Sequence, residues 1–164
     1  MSHSVTIRTT TTTTGGSTII LNTSYLKTLP GILKLLEVLL GIACVGIAGH
    51  DFNYYGSWNT TAKLFYLLMV TTFLIASFIL LISCLASLST GPIISKTIYE
   101  VIFHSIGFGL LLAASLTLLV EVNRGGRYRT ANYEALFAAA IIGLVNAALY
   151  LVSTILALRS YRGL

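Results

Sequence analysis

The chain has 164 residues, of which 55% are hydrophobic and only 9% are charged, and its formal net charge is +5. An average soluble domain has roughly 25% charged residues, so the composition excludes a soluble monomer, because too few polar side chains are present to cover a globule of this size. The polar inventory includes five carboxylates, three His and two Cys, which argues against catalysis. We predict that the protein is not an enzyme and uses no cofactor. The basic excess forms no continuous stripe, so it favours anionic lipid headgroups over nucleic acid as the partner.

The first 27 residues are polar, and they contain a run of six threonines from Thr9 to Thr14. A cleavable signal peptide needs an apolar core near its start, and the first apolar segment begins only around residue 30. We therefore predict a disordered polar tail over residues 1–27, a transmembrane domain over 28–160 and a short C-terminal tail over 161–164.

Four apolar segments follow in chain order, near residues 31–49, 63–88, 98–122 and 134–158. A bilayer core of about 30 Å needs roughly 20 helical residues, and backbone groups in lipid must hydrogen-bond within their own segment. The connections between the segments are short, which makes successive helices antiparallel neighbours. The sequence therefore predicts an all-α membrane protein, a four-transmembrane-helix antiparallel bundle.

The first segment is the weakest of the four, because Lys34 and Glu37 interrupt it. It can still span the membrane if Lys34 extends to the headgroups and Glu37 lies just inside the interface. A re-entrant or interfacial helix is the alternative for this segment.

Four spans place both termini on the same side of the membrane. If that side is the cytoplasm, it holds five of the basic residues close to the membrane, against four on the other side, namely Lys63, Arg124, Arg127 and Arg129. The positive-inside rule therefore favours cytoplasmic termini by a small margin. In that orientation Asn59, within the sequon Asn-Thr-Thr, lies on the outer side and is a candidate for N-glycosylation.

Three stretches carry a family likeness. Leu29–Glu37 reads LPGILKLLE, Glu100–His104 reads EVIFH, and Phe137–Val152 combines small residues with a Leu-Tyr pair. Together they resemble the MARVEL domain, a tetraspan module, in the branch that contains MAL, plasmolipin and the chemokine-like-factor-like proteins. The resemblance covers residues 28–160. It implies cytoplasmic termini and a role in vesicle trafficking, in membrane microdomains such as lipid rafts, or in membrane apposition at cell junctions.

Four ionisable residues near the starts of the first and third apolar segments form a candidate intramembrane polar patch, namely Lys34, Glu37, Glu100 and His104. Lys34 and Glu37 are one turn apart and can pair, and Lys96 and Glu100 can pair across four residues. Glu100 and His104 share a helix face, which predicts that both point into the bundle. In the structural interpretation these residues neutralise one another. In the functional interpretation Glu37, Glu100 and His104 form an intramembrane polar patch that binds a lipid headgroup or relays protons.

Small residues repeat at four-residue spacing in two places. They are Gly109 and Ala113 in the third segment, and Ala139, Gly143 and Ala147, with the neighbouring Asn146, in the fourth. This spacing lets two helix backbones approach closely in lipid. We predict helix-packing surfaces at both places, with either another helix of the same chain or a second copy of the protein as the partner.

Cys84 lies near the end of the second segment, on the cytoplasmic side in the favoured orientation. Cysteines close to the membrane surface are palmitoylation candidates, and a buried free thiol is the alternative. The sequence contains no Cys-x-x-Cys or similar ligand spacing, so we predict no metal site.

The function that the sequence and the resemblance favour is a non-enzymatic multi-pass protein of the plasma membrane or of vesicles. Its expected partners are membrane lipids, with a second copy or other membrane proteins as further candidates. An oligomeric pore or transport subunit is one alternative, and it requires the polar residues to line a continuous wet path. An adhesion or membrane-fusion factor is another, and it requires the first loop to contact a partner membrane.

Overall fold

The computed structural model describes residues 23–55, 61–86, 97–129 and 132–163. A short 3-10 helix, Thr23–Lys27, precedes four long helices, which are α1 (Leu29–Tyr55), α2 (Thr61–Ala86), α3 (Ile98–Arg129) and α4 (Tyr133–Arg162). Each of the four contains a stretch that is long and apolar enough to cross a membrane. The predicted all-α architecture with four spans is therefore confirmed.

The ends of the helices follow local chemistry. The Thr28 side-chain oxygen accepts a hydrogen bond from the Gly31 backbone N–H at 3.3 Å, and Pro30 occupies the first turn of α1, where its missing N–H costs nothing. At the other end of the chain α4 stops at Gly163, which has φ 71° and donates its N–H to the Ser160 carbonyl at 3.2 Å. Glycine adopts this left-handed conformation without steric penalty.

Three helices continue beyond the apolar segments that predicted them. α1 ends at Tyr55 instead of near residue 49, α3 ends at Arg129 instead of near residue 122, and α4 ends at Arg162 instead of near residue 158. Hydropathy marks the part of a helix that lies in lipid, and a helix can continue past it into the polar layer. In α1 the extension carries Asp51, whose carboxylate accepts a hydrogen bond from Lys63 of α2 at 3.0 Å.

Each helix packs against its neighbours in the order α1, α2, α3, α4, and α4 closes the bundle against α1. The outer surface carries large apolar side chains on all four helices, such as Leu39, Leu68, Ile106 and Val145, each of which is about half exposed. A water-soluble monomer rarely exposes apolar patches larger than a few hundred Å². This surface therefore faces lipid, and the protein is a multi-pass membrane protein.

Aromatic side chains fill the centre of the bundle and bond to neighbouring helices. The Tyr66 hydroxyl on α2 donates to the Ala139 carbonyl on α4 at 2.5 Å. The Tyr150 hydroxyl on α4 lies 2.5 Å from the Ser77 hydroxyl on α2. Because a buried phenol needs a hydrogen-bond partner, these two contacts set how α2 and α4 lie across the interior.

The two groups of small residues occupy different environments. Ala139, Gly143 and Ala147 are buried, and a Cβ added to Gly143 would contact the Ser115 hydroxyl and lie 3.0 Å from the Tyr66 hydroxyl. α4 therefore approaches α2 and α3 closely at this point.

Gly109 and Ala113 instead lie on the outer surface of α3, and no described residue lies within 4 Å of a Cβ built on Gly109. Another molecule is the partner that the sequence interpretation offers for this second pair. Self-association through it stays a prediction.

We expect Gly143→Leu to lower the thermal stability of the detergent-solubilised protein, because the added side chain collides with Ser115 and Tyr66. Overpacking of this kind costs about 1–3 kcal/mol. Gly109→Leu is the matched control, since it makes the same change on an open surface. Asn146→Leu should have a smaller effect than Gly143→Leu, because the Asn146 side-chain oxygen has no hydrogen-bond partner within the described chain. Equal melting temperatures for Gly143→Leu and Gly109→Leu would contradict this packing argument.

Candidate functional site

A group of polar side chains lies inside the bundle, at the end where α1 and α3 begin and α4 finishes. We call it the polar cluster. Its members are each at most 7% exposed, and they are Lys34 and Glu37 on α1, Glu100 and His104 on α3, and Ser153 on α4. The structure therefore brings all four sequence-predicted ionisable residues together and adds a serine from a third helix.

Lys34 and Glu100 form an ion pair that joins α1 to α3. The sequence interpretation paired Lys34 with Glu37 of the same helix. That partner is wrong, because Glu100 reaches the Lys34 ammonium across the interior and Glu37 points to other groups. Lys96, the partner expected for Glu100, lies outside the described residues. Breaking a buried pair leaves an uncompensated charge, so this contact holds the two helices together.

Glu37 bonds to α4 and lies close to α3. The Ser153 hydroxyl donates to Glu37 Oε1 at 2.6 Å, while Glu37 Oε2 lies 3.6 Å from His104 Nε2. His104 Nδ1 lies 2.8 Å from the Glu100 backbone carbonyl. A carbonyl only accepts, so Nδ1 carries the hydrogen in this bond. The remaining ring nitrogen and Glu37 Oε2 face each other, and neither has a hydrogen-bond partner among the described residues.

Three aromatic rings, which we call the aromatic layer, pack at the cluster and towards the middle of the bundle. They belong to Phe73, Phe103 and Tyr150. The Phe103 and Tyr150 ring centroids lie 5.0 and 5.6 Å from that of His104, and the Phe73 and Tyr150 centroids are 5.8 Å apart. Beside His104 the interior is therefore filled by aromatic carbon.

A cavity of about 100 Å³ borders the polar cluster between α1 and α4. Two charged side chains and two serines supply its polar surface, and apolar side chains supply the rest. The lining residues are Pro30, Leu33, Lys34, Glu100, Ser153, Leu156, Ala157 and Ser160. The Lys34–Glu100 pair is thus buried by protein on one side and borders this space on the other.

The N-terminal 3-10 helix lies beside the same end of the bundle. Burial raises the pKa of Tyr25 to about 12, and the nearby Lys34 ammonium works in the opposite direction. Tyr25 also interacts with Cys84, whose free thiol is 1% exposed. Acylation of Cys84 would therefore require the thiol to leave a buried position, and palmitoylation stays a prediction. Asn59, the candidate for glycosylation, lies outside the described residues.

The opposite end of the bundle carries an ion pair that the sequence interpretation missed. Asp51 on α1 and Lys63 on α2 are 3.0 Å apart, and Asp51 is 1% exposed. The sequence did contain a signal for this pair, because Asp51 and Lys63 carry opposite charges on the two sides of a short connection between helices. Across residues 23–55, 61–86, 97–129 and 132–163, no group of three or more His, Cys, Asp or Glu could hold a metal ion.

The comparisons with known proteins agree with this architecture. The model of the MARVEL family, described as a membrane-associating domain, matches residues 25–156. The matched region contains the first three helices, most of α4 and the whole polar cluster. No curated protein and no solved structure matches the chain.

We expect Glu100→Gln to destabilise the protein by about 3 kcal/mol, because it leaves the Lys34 ammonium buried without its carboxylate. Thermal unfolding in detergent and surface expression in cells would both report the loss. Glu121→Gln on the same helix is a matched control outside the cluster. The double variant Lys34→Met with Glu100→Gln should regain part of the lost stability, since the unpaired charge is gone. If Glu100→Gln leaves stability, expression and sorting unchanged, the ion pair does not hold α1 and α3 together.

Proposed function

Because the chain belongs to the MARVEL family of membrane-associating tetraspan proteins, we propose that it organises membranes without catalysing a reaction. In this role it gathers lipids and other membrane proteins into microdomains, either on trafficking vesicles or where two membranes are apposed at cell contacts. The observation that carries the proposal is the division of the bundle into an apolar outer surface and an interior in which charged groups pair with one another.

The outer surface supports this role because its apolar side chains extend over all four helices. Large apolar side chains face outwards on every one of the four helices, so lipid and other transmembrane helices are the partners that this surface can accept. Only five residues separate α1 from α2 and three separate α3 from α4, which leaves little chain outside the helices at these two connections.

The pore alternative has less support from the interior. It needs the polar residues to line a continuous wet path, whereas Lys34 and Glu100 pair with each other and Glu37 accepts a hydrogen bond from Ser153. The aromatic layer then fills the interior beside His104. The adhesion alternative rests on the first loop, and residues 56–60 of that loop lie outside the described chain.

The proposed orientation places both termini in the cytoplasm. We expect protease added to selectively permeabilised cells, with internal membranes intact, to remove tags fused at either end. The reason is the small excess of basic residues on that side of the membrane. Detergent-treated cells give the complete digestion for comparison. Tags that are digested only from the lumenal side would overturn this orientation.

The membrane-organising role predicts a non-uniform distribution in the cell. A tagged copy expressed in polarised epithelial cells should concentrate in one plasma-membrane domain and in vesicles that serve it, as judged by confocal microscopy with domain markers. Gly143→Leu, which disturbs the packing of α4, shows where a poorly folded chain accumulates. A correctly folded protein spread evenly over all cellular membranes would contradict the proposal.

A further inference from the structure

We propose that the cavity beside the Lys34–Glu100 pair binds the hydroxyl group of an uncharged lipid. The inference deepens the proposed function and rests on it for the membrane setting. It assigns a ligand class to a site formed by α1, α3 and α4.

The cavity lies near the ends of α1 and α4, where we expect lipid headgroups to meet their hydrocarbon chains. Its lining on α4 runs from Ser153 to Ser160 at the end of the helix, and seven residues of α-helix span about 10 Å. On α1 it runs from Pro30, which is exposed at the start of the helix, to the buried Lys34. The deeper part is therefore polar and charged, and the shallower part reaches the outer surface near the helix ends.

The two charged side chains in the wall select for a neutral ligand. Lys34 supplies a cation and Glu100 an anion, so the pair has no net charge to offer a phosphate or an ammonium group. A phosphate would approach the Glu100 carboxylate, and an ammonium would approach Lys34, and either like-charge contact is costly where water is scarce. A hydroxyl both donates and accepts. It can accept from Lys34 and donate to Glu100 without separating them.

The rest of the wall suits the hydrocarbon next to such a hydroxyl. Leu33, Leu156 and Ala157 form the apolar sides of the cavity. A cavity of about 150 Å³ in another protein holds benzene, so a space of about 100 Å³ takes the hydroxyl-bearing end of a lipid and leaves the remainder outside. That remainder would lie along the apolar outer surface of α1 and α4, where the bilayer already provides hydrocarbon.

The test uses the full-length wild-type protein in phosphatidylcholine nanodiscs with photoreactive, clickable diacylglycerol, ceramide and sterol probes. Mass spectrometry of the labelled peptides should place the cross-links on residues 30–34 and 153–160. Each unlabelled alcohol should then compete about ten-fold better than its own methyl ether, because the ether cannot donate a hydrogen bond to a charged acceptor. The ranking of the three alcohols identifies the lipid class that supplies the hydroxyl.

Charged lipids provide the opposing arm of the same experiment. Phosphatidic acid and a long-chain alkylamine should each compete less well than the best alcohol. Equal competition by alcohol and methyl ether, stronger competition by a charged lipid, or labels spread evenly over all four helices would each overturn the proposal.

A variant separates the cavity from the general lipid-facing surface. Ala157→Leu fills the cavity without altering a charged residue, and it should reduce specific labelling about ten-fold, a change equivalent to about 1.4 kcal/mol. Ala148→Leu makes the same change at an exposed position of the same helix and should leave labelling unchanged. If Ala157→Leu does not fold, the comparison of alcohol with ether in the wild-type protein decides alone.

The outcome is independent of the cellular test. Specific alcohol-dependent labelling together with an even cellular distribution would reject the membrane-organising role and keep the lipid site. Polarised sorting without alcohol-dependent labelling would reject the lipid site and keep the role.

Discussion

A charged side chain inside a membrane bundle has no water to solvate it, and the arrangement of this protein depends on how that constraint is met. Lys34 and Glu100 neutralise each other across two helices, and Glu37 takes a hydroxyl from α4. Three helices are thereby joined at one end by contacts whose loss leaves a buried group unpaired. Removing one partner of a buried ion pair leaves an uncompensated charge, so these helix faces are held together by contacts that are costly to lose, while the apolar core supplies most of the contact.

The number and order of the helices could be predicted from the sequence, because each apolar segment reports its own environment independently of the others. The family resemblance, read from LPGILKLLE and EVIFH, is confirmed by the family match over residues 25–156. Helix ends were less predictable. α1 continues through Asp51, which pairs with Lys63 on another helix, and a distant partner leaves no mark on the local hydropathy.

The candidate site, like the fold, could be predicted from the sequence only in part. The spacing of Glu100 and His104 on one helix was sufficient to predict that they share the inward face. The partner of Lys34 was not predictable from spacing, since a residue one turn away and a residue on a facing helix are equally good candidates until the helices are placed. The small-residue pairs show the same limit. Gly109 and Gly143 each precede an alanine by four residues, yet among the described residues only Gly143 of these two has close neighbours, Tyr66 and Ser115, on the facing helices.

The cavity beside Lys34 weakens the dispersion contacts of the apolar side chains around it, but it favours the Lys34–Glu100 ion pair. The apolar side chains around it lose dispersion contacts, which reduces stability in proportion to the empty volume. The ion pair benefits, because a space next to two charges leaves room for a polar group that can solvate them. His104 and Glu37 lie in the opposite situation, enclosed by Phe103 and Tyr150 with both facing atoms unpartnered. Within one cluster, the Lys34–Glu100 pair thus borders an open space, whereas the facing atoms of His104 and Glu37 have no hydrogen-bond partner among the described residues.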